Sequence, residues 1–158
     1  MRLKQRTHRH FFLIIRKKTM RSNNSLIIPY ETYNQMITHT KKCLPYESCG
    51  LLTGKRNDIR SVWELENELK SSTRFFVDKK AVEETLEKVS EMNEEVIAIY
   101  HSHPNTSPVP SSYDLASHVD PLVKMVIVSH KEKVPLVKCY QITRHRYTIC
   151  PLLVHPIQ

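Results

Sequence analysis

The stretch VIAIYHSHPNTSPVPSSYD, residues 96–114, decides the fold of this 158-residue chain. Its first five residues are continuously apolar, which predicts a buried strand over 96–100. His101 and His103 follow at the strand end with one residue between them. Because side chains alternate along a strand, both imidazoles are expected on the same face. Several prolines then stiffen a loop that leads to a short helix predicted over 111–119.

These residues provide the donors of a metal site. Two neutral imidazoles and one carboxylate are the three-ligand set typical of catalytic zinc, which keeps a fourth position for water. His101, His103 and Asp114 form such a set if the helix start folds back to the strand end, where sites in α/β sheets lie. A zinc hydrolase also needs an acid that is not a ligand. Glu47, which precedes another apolar run, is the candidate.

The same residues also have simpler interpretations. Ser111 and Asp114 fit a capping box, in which each side chain bonds a free backbone N–H of the first helical turn. Glu47, taken alone, is a solvated loop acid, and a histidine near a strand end is commonly structural. Explaining all of them in this way requires the histidine pair, the rigid loop, the aspartate and the upstream acid to coincide by chance.

The flanking patterns predict the remaining elements. Pro29 stands at the first position of an amphipathic helix over 30–43, and Asp78 is the expected N-cap of a second helix. Gly50 and Gly54, the only glycines, indicate close backbone approach or unusual torsions. Strands are predicted over 49–53, 59–65, 123–129, 136–142 and 146–154. This order predicts one domain over 26–158: α+β, sandwich-like, with a mixed sheet flanked by helices.

The positive charge is concentrated before this domain. Residues 1–19 hold seven Lys and Arg side chains and no acid, which leaves +1 of the net +8 for the rest of the chain. We expect residues 1–25 to be a disordered basic extension, or to include sequence upstream of a true start at Met20. Contact with nucleic acid or an anionic membrane is the less favoured alternative.

Cysteine usage and hydropathy bear on the compartment. No apolar run approaches the roughly 18 residues of a membrane-spanning helix, and no secretory signal is recognisable. The cysteines are widely spaced and form no metal-binding pair: Cys43, Cys49, Cys139 and Cys150. We expect all four to be small, buried, reduced residues in a cytoplasmic protein.

Three segments together resemble the JAMM (MPN-plus, Mov34-type) zinc metalloprotease family. They are ESCGLLTG at 47–54, HSHP at 101–104 and SSYD at 111–114, with weaker similarity at Asn67 and at Arg74-Phe75. The resemblance implies the JAMM/MPN, cytidine-deaminase-like fold and one catalytic Zn²⁺ bound by His101, His103 and Asp114. It also implies that Glu47 is the general acid/base and that Ser111 donates a hydrogen bond to the developing oxyanion.

The number of residues after Asp114 indicates which members of the family the chain resembles. Only 44 residues follow Asp114, so the chain resembles the compact prokaryotic-type members. That implies a zinc metallopeptidase that hydrolyses a peptide or isopeptide bond at the C-terminal tail of a ubiquitin-like or sulfur-carrier protein. The alternative is a non-enzymatic zinc-binding protein-interaction module. It would need a fourth protein ligand, for which His118 and His39 are the candidates.

Overall fold

The structure is a computed structural model, and it describes residues 24–156. The predicted basic extension, 1–25, therefore lies outside the described residues except for its last two. The elements in chain order are β1 (Leu26–Pro29), α1 (Tyr30–Lys42), β2 (Cys49–Lys55), β3 (Asp58–Leu65), α2 (Lys79–Glu91), β4 (Glu95–His103), α3 (Ser112–Ser117), β5 (Lys124–Ser129), β6 (Leu136–Thr143), β7 (Arg146–Cys150) and β8 (Leu152–His155).

All eight strands belong to one mixed sheet, in the order β7-β6-β5-β4-β2-β3-β1-β8. The pairs β4–β5, β1–β3 and β1–β8 are parallel, and the other neighbours are antiparallel. Pro151 alone separates β7 from β8 in sequence, yet the two strands lie at opposite ends of the strand order. The sheet must therefore curl until its two ends approach each other.

Helices cover both faces of this sheet. On one face, Met36 of α1 packs with Leu52 and Tyr100 in the larger core cluster. On the other, Val82 of α2 packs with Leu51 and Ile99. Each fully buried aliphatic side chain contributes about 1.5–3 kcal/mol to folding. The predicted α+β class with a mixed sheet between helices is confirmed.

Several local predictions need correction. The strand β1 was not predicted, and Pro29 is its last residue and the N-cap of α1 rather than the first helical residue. The strand predicted over 146–154 is two strands, because Pro151 has no N–H for a ladder and separates them. Cys43 is half-buried rather than buried, although all four cysteines are free thiols as expected.

The two glycines are explained by close approach, since neither has a positive φ. A Cβ on Gly50 would meet the Trp63 carbonyl oxygen on one side and the Tyr100 ring on the other. A Cβ on Gly54 would meet the Asp58 carbonyl oxygen. Gly50 thus allows β2 to lie between β3 and β4 with the Tyr100 ring packed against its backbone.

Candidate metal centre

Strand β4 carries both histidines, because it extends beyond the predicted apolar run as far as His103. The two imidazoles lie on one face, as predicted, with their Nε2 atoms 3.1 Å apart. The Nδ1–H of His103 donates to the Ser107 carbonyl at 2.8 Å. In the neutral ring this bond leaves the Nε2 lone pair directed into the site. Both side chains are buried, and the Phe75 ring packs against His101 at 5.4 Å between centroids.

Strand register brings Glu47 to the same place. In the antiparallel β2–β4 pair, Cys49 stands opposite His101. The residue two positions before Cys49 is therefore expected opposite His103, on the same face. The structure agrees, since Glu47 Oε1 lies 4.0 Å from His103 Nε2. Glu47 is 5% exposed, so this carboxyl group faces the histidines and not bulk water.

The first turn of α3 supplies the second carboxylate. Asp114 Oδ1 lies 3.4 Å from His101 Nε2, and Oδ2 lies 3.5 Å from His103 Nε2. The capping box is also present: the Ser111 hydroxyl accepts from the Asp114 N–H at 3.1 Å, and the Ser111 N–H donates to Asp114 Oδ2 at 2.7 Å. The two interpretations of Ser111-x-x-Asp114 are therefore compatible, since the cap orients the carboxylate towards the imidazoles.

The spacing of these donors fits a tetrahedral zinc ion. With Zn–N and Zn–O bonds of about 2.0–2.1 Å, neighbouring ligand atoms of a tetrahedron are about 3.3 Å apart. The His101 and His103 Nε2 atoms are 3.1 Å apart, Asp114 Oδ1 is 3.4 Å from His101 Nε2, and the other oxygen, Oδ2, is 3.5 Å from His103 Nε2. Glu47 is also close enough to be considered, because one ligand atom each of Glu47, His101 and His103 lie within 4.8 Å of one another. Its separation of 4.0 Å from His103 Nε2 is longer than a tetrahedral edge, whereas each Asp114 oxygen lies within 3.5 Å of one imidazole Nε2.

Burial and mutual charge set the protonation of the cluster. Burial raises the pKa of Glu47 to about 7, with Asp114 adding to this shift and the two imidazoles opposing it. Burial works against ionisation of Asp114, but His101 and hydrogen bonds from both imidazoles and the Ser111 N–H hold its pKa well below the usual range. Burial also opposes the charged form of His101, but the Asp114 carboxylate outweighs it and raises the His101 pKa. The acids and imidazoles of the cluster therefore set one another's protonation.

The predicted site residues thus divide into two sets. The structure brings Glu47, His101, His103 and Asp114 together, and it places Ser111 beside them with an exposed side chain. The two candidate fourth ligands are engaged elsewhere. His39 bonds the Tyr100 hydroxyl and the Cys43 sulfur, and the Nε2 of His118 lies at the carbonyls of Asp120 and Val123.

Sequence reasoning missed the hydroxyl pair beneath the site. Ser102, between the two histidines, bonds the Ser48 hydroxyl at 2.9 Å and accepts from the Ser48 N–H at 2.9 Å. The Ser102 N–H donates to the Ser48 carbonyl at 2.9 Å. These bonds attach the segment that carries Glu47 to the strand that carries the histidines. No sequence pattern signals them, because they depend on the pairing of two segments 54 residues apart.

The mixed sheet, with a histidine and carboxylate cluster at the end of its inner strand β4, defines a class of protein, the JAMM-type metalloprotease domain of MPN fold. The model of the family described as prokaryotic homologs of the JAB domain matches residues 29–143. The chain therefore belongs to this family of prokaryotic JAB-domain homologues. The resemblance drawn from the three sequence segments is confirmed.

Known proteins of this kind support the assignment. The chain is 36% identical over 94 residues to the desampylase of Pyrococcus furiosus, an overlap of 60% of this chain and 66% of that protein. It is 27% identical over 122 residues to the CysO-cysteine peptidase of Mycobacterium tuberculosis, covering 76% and 82% of the two chains. In fold it is similar to a JAB1/MPN domain protein from Archaeoglobus fulgidus, with a TM-score of 0.58 at 22% identity over 83% of this chain and 98% of that one. The family and these relatives indicate a hydrolase.

Proposed function

We propose that this chain is a zinc-dependent metallopeptidase that hydrolyses a peptide or isopeptide bond at the C-terminal tail of a ubiquitin-like or sulfur-carrier protein. The observation that carries the proposal is the donor geometry. The His101 and His103 Nε2 atoms are 3.1 Å apart, each lies 3.4 or 3.5 Å from one Asp114 oxygen, and a second acid, Glu47, stands 4.0 Å from His103 Nε2. Three protein ligands with a nearby free carboxyl group are the arrangement of a catalytic rather than a structural zinc site.

The residues have complementary roles in this reaction. A zinc ion held by the three ligands would act as a Lewis acid on the scissile carbonyl and lower the pKa of a water molecule. Glu47 accepts the proton of the attacking water and delivers it to the leaving amine, so that water and the amide yield a carboxylic acid and an amine. A general acid/base works best when its pKa is near the working pH. Burial raises the pKa of Glu47 to about 7 when no ion is bound, and a neighbouring cation would lower it towards the carboxylate form that accepts the proton.

Ser111 is suited to stabilise the carbonyl oxygen as charge develops on it. Its oxygen already accepts from the Asp114 N–H at 3.1 Å, so its hydroxyl proton is directed away from the cap. The side chain is exposed at the rim of the buried cluster, where a substrate can reach it. In other hydrolases one such donor contributes about 2.7–4 kcal/mol to transition-state stabilisation.

The substrate class rests on the relatives. Those named above are a desampylase and a CysO-cysteine peptidase, and the chain spans 66% of the first and 82% of the second. From these names we infer that the substrate of this chain is a protein with an extended C-terminal tail. A membrane partner is not expected, and no helix within residues 24–156 is long and apolar enough to cross a bilayer. Nucleic acid as a partner, through the basic extension, is not favoured, and the cytoplasmic location stays a prediction.

The alternative of a non-enzymatic zinc-binding module is less well supported. A closed structural site needs four protein ligands. The imidazoles of His39 and His118 make other bonds within residues 24–156. If a structure of the zinc-loaded protein showed a fourth protein ligand, that finding would favour the alternative.

The test combines metal analysis with a cleavage assay. The protein is incubated with ubiquitin-like and sulfur-carrier proteins that carry a C-terminal extension, joined either linearly or through a lysine side chain. Mass spectrometry then identifies the released tail. We expect one zinc ion per chain and cleavage of at least one substrate. Glu47→Gln should retain the zinc ion and lower the rate about 10²–10⁴-fold, because proton transfer contributes that much.

The outcomes of this assay separate the two functions. Glu87→Gln is the matched control, because it removes an exposed carboxylate from α2 and should leave the rate unchanged. Cleavage by Glu47→Gln at the unmodified rate would rule out the proposed role of Glu47. If no carrier is cleaved although zinc is bound, the binding-module alternative gains support.

A further inference from the structure

The backbone of Glu47 is held by a segment other than the strands that carry the histidines. Glu47 lies between the end of α1 and the start of β2, outside any helix or strand. Its N–H donates to the Ser71 carbonyl at 2.7 Å, and its carbonyl accepts from the Asn67 side chain at 2.8 Å. Both partners belong to the connection between β3 and α2, residues 66–78. The acid therefore depends on this connection for its position.

Asn67 organises that connection. Its Nδ2 group donates to the carbonyls of Glu47 at 2.8 Å and Arg74 at 3.0 Å. Its Oδ1 atom accepts from the N–H groups of Leu69 at 3.1 Å and Phe76 at 3.0 Å. An asparagine amide has two donor hydrogens and two acceptor lone pairs, so these four bonds use its full capacity. The orientation of the amide is also determined, because a flip would place oxygen against two carbonyls.

The four bonds of Asn67 have two different effects. The two acceptor bonds and the donor bond to the Arg74 carbonyl fold the connection back on itself, together with the Glu68 N–H to Phe76 carbonyl bond at 3.0 Å. The donor bond to Glu47 leaves the connection and reaches the site. Aspartate has nearly the same shape and keeps both acceptor interactions, but its carboxylate cannot donate. Asn67→Asp therefore removes the donor bonds to Glu47 and Arg74 and keeps the two acceptor bonds that fold the connection.

The same connection also touches the histidine side of the site. Phe75 lies next to Arg74 and packs its ring against His101 at 5.4 Å. The ligands themselves come from other elements, His101 and His103 from β4 and Asp114 from α3. A disturbance at Asn67 should thus move Glu47 relative to the ligands without removing a ligand.

We infer that Asn67 is a positioning residue for the acid/base: its side-chain amide fixes the Glu47 backbone and hence the distance of the Glu47 carboxyl group from the imidazole pair. This inference rests on the proposed function for its kinetic consequence, but its structural content stands separately. A displacement of about 1 Å at a catalytic group can cost about 10²-fold in rate. Asn67 therefore affects turnover through the position of Glu47.

The experiment compares Asn67→Asp with the unmodified full-length protein. Crystal structures of both measure the separation of Glu47 Oε1 from His103 Nε2, which is 4.0 Å here. We expect the aspartate variant to increase it by more than about 1 Å, and kcat to fall about tenfold to hundredfold with KM unchanged. The visible spectrum of the Co²⁺-loaded protein should be the same in both, because the ligands are intact.

The control is Thr73→Ala in the same connection. Thr73 makes an exposed side-chain contact with Ser71 at 3.4 Å and none with Glu47, so its removal should leave kcat unchanged. If Asn67→Asp does not fold, Asn67→Ser takes its place, since its short hydroxyl cannot span to the Glu47 carbonyl.

The possible results distinguish this inference from the proposed function. An unmoved Glu47 in the variant structure overturns the inference whatever the activity. So does full turnover by Asn67→Asp when Glu47→Gln is inactive. If Glu47→Gln is itself fully active, the proposed role of Glu47 fails, and the crystallographic distance alone still decides whether Asn67 positions the carboxyl group.

Discussion

At the residue scale, the histidine pair and its neighbours differ in how far the sequence could predict them. His101 and His103 were placed correctly because strand alternation is a local rule. Asp114 was placed by its spacing from a helix start, and the capping box shows why that spacing orients it. Glu47 was a candidate from its place before an apolar run, but its closeness to the histidines depends on the register of β2 against β4, which no local pattern gives. The roles of the site residues remain predictions.

Ser102 provides the first prediction at this scale. Its hydroxyl accepts from the Ser48 N–H, and both residues are buried. Ser102→Ala leaves that N–H without its acceptor, which should lower the free energy of unfolding by about 1–3 kcal/mol. Urea denaturation followed by circular dichroism measures the change, with the exposed Ser72→Ala as control. A loss below about 0.5 kcal/mol, the range of an ordinary surface substitution, would show that the hydroxyl pair does not stabilise the site.

At the scale of elements, the errors all concern non-local pairing. The strand β1 is four residues long, and its partners are β3 and the distant β8. The sequence around it therefore contains no hairpin or alternation pattern that predicts a strand. The split of the predicted strand 146–154 into β7 and β8 also depends on pairing with residues far away in the sequence. Pro151 looks like an interruption in one strand, but its carbonyl accepts from the Leu26 N–H at 2.9 Å where the chain crosses from one sheet edge to the other. Period and propensity predicted the helices and inner strands, whose patterns are local.

Gly50 gives a prediction for strand β2. Gly50→Ala directs a methyl group at the Trp63 carbonyl oxygen and the Tyr100 ring. Neither can move easily, because one is backbone of β3 and the other is a fully buried ring. Overpacking of this kind typically costs about 1–3 kcal/mol, and we expect the upper end. Thermal unfolding measures it against the exposed Ser112→Ala, and an unchanged melting temperature would contradict the close packing of β2.

At the scale of the whole molecule, two cases differ: either the domain folds only when the metal binds, or the domain folds by itself and presents a preformed metal site. The proposed ligands stand on β4 and α3, which are held by the sheet and by packing of Leu115 against a buried cluster that includes Ile127 and Tyr140. The His103 bond to Ser107 and the capping box orient the ligands through the chain itself. The buried acids and imidazoles also offset one another's charge through the His101–Asp114 pair. All these contacts are made between groups of the protein, so we expect them to persist when the ion is removed.

Removing the metal should therefore abolish turnover while the domain remains folded. We expect a chelator, and independently His103→Ala, to leave the far-ultraviolet circular dichroism of the protein unchanged. Loss of a ligand that binds only the native state lowers stability by RT ln(1 + [L]/Kd), about 4 kcal/mol at a thousandfold excess over Kd, which lowers the melting temperature without unfolding the protein at 25 °C. A structural zinc site behaves differently, because its binding energy is the folding energy and the apo chain is unfolded. Cooperative unfolding on chelation at 25 °C would therefore contradict a preformed site. It would show that the ion has a structural rather than a catalytic role.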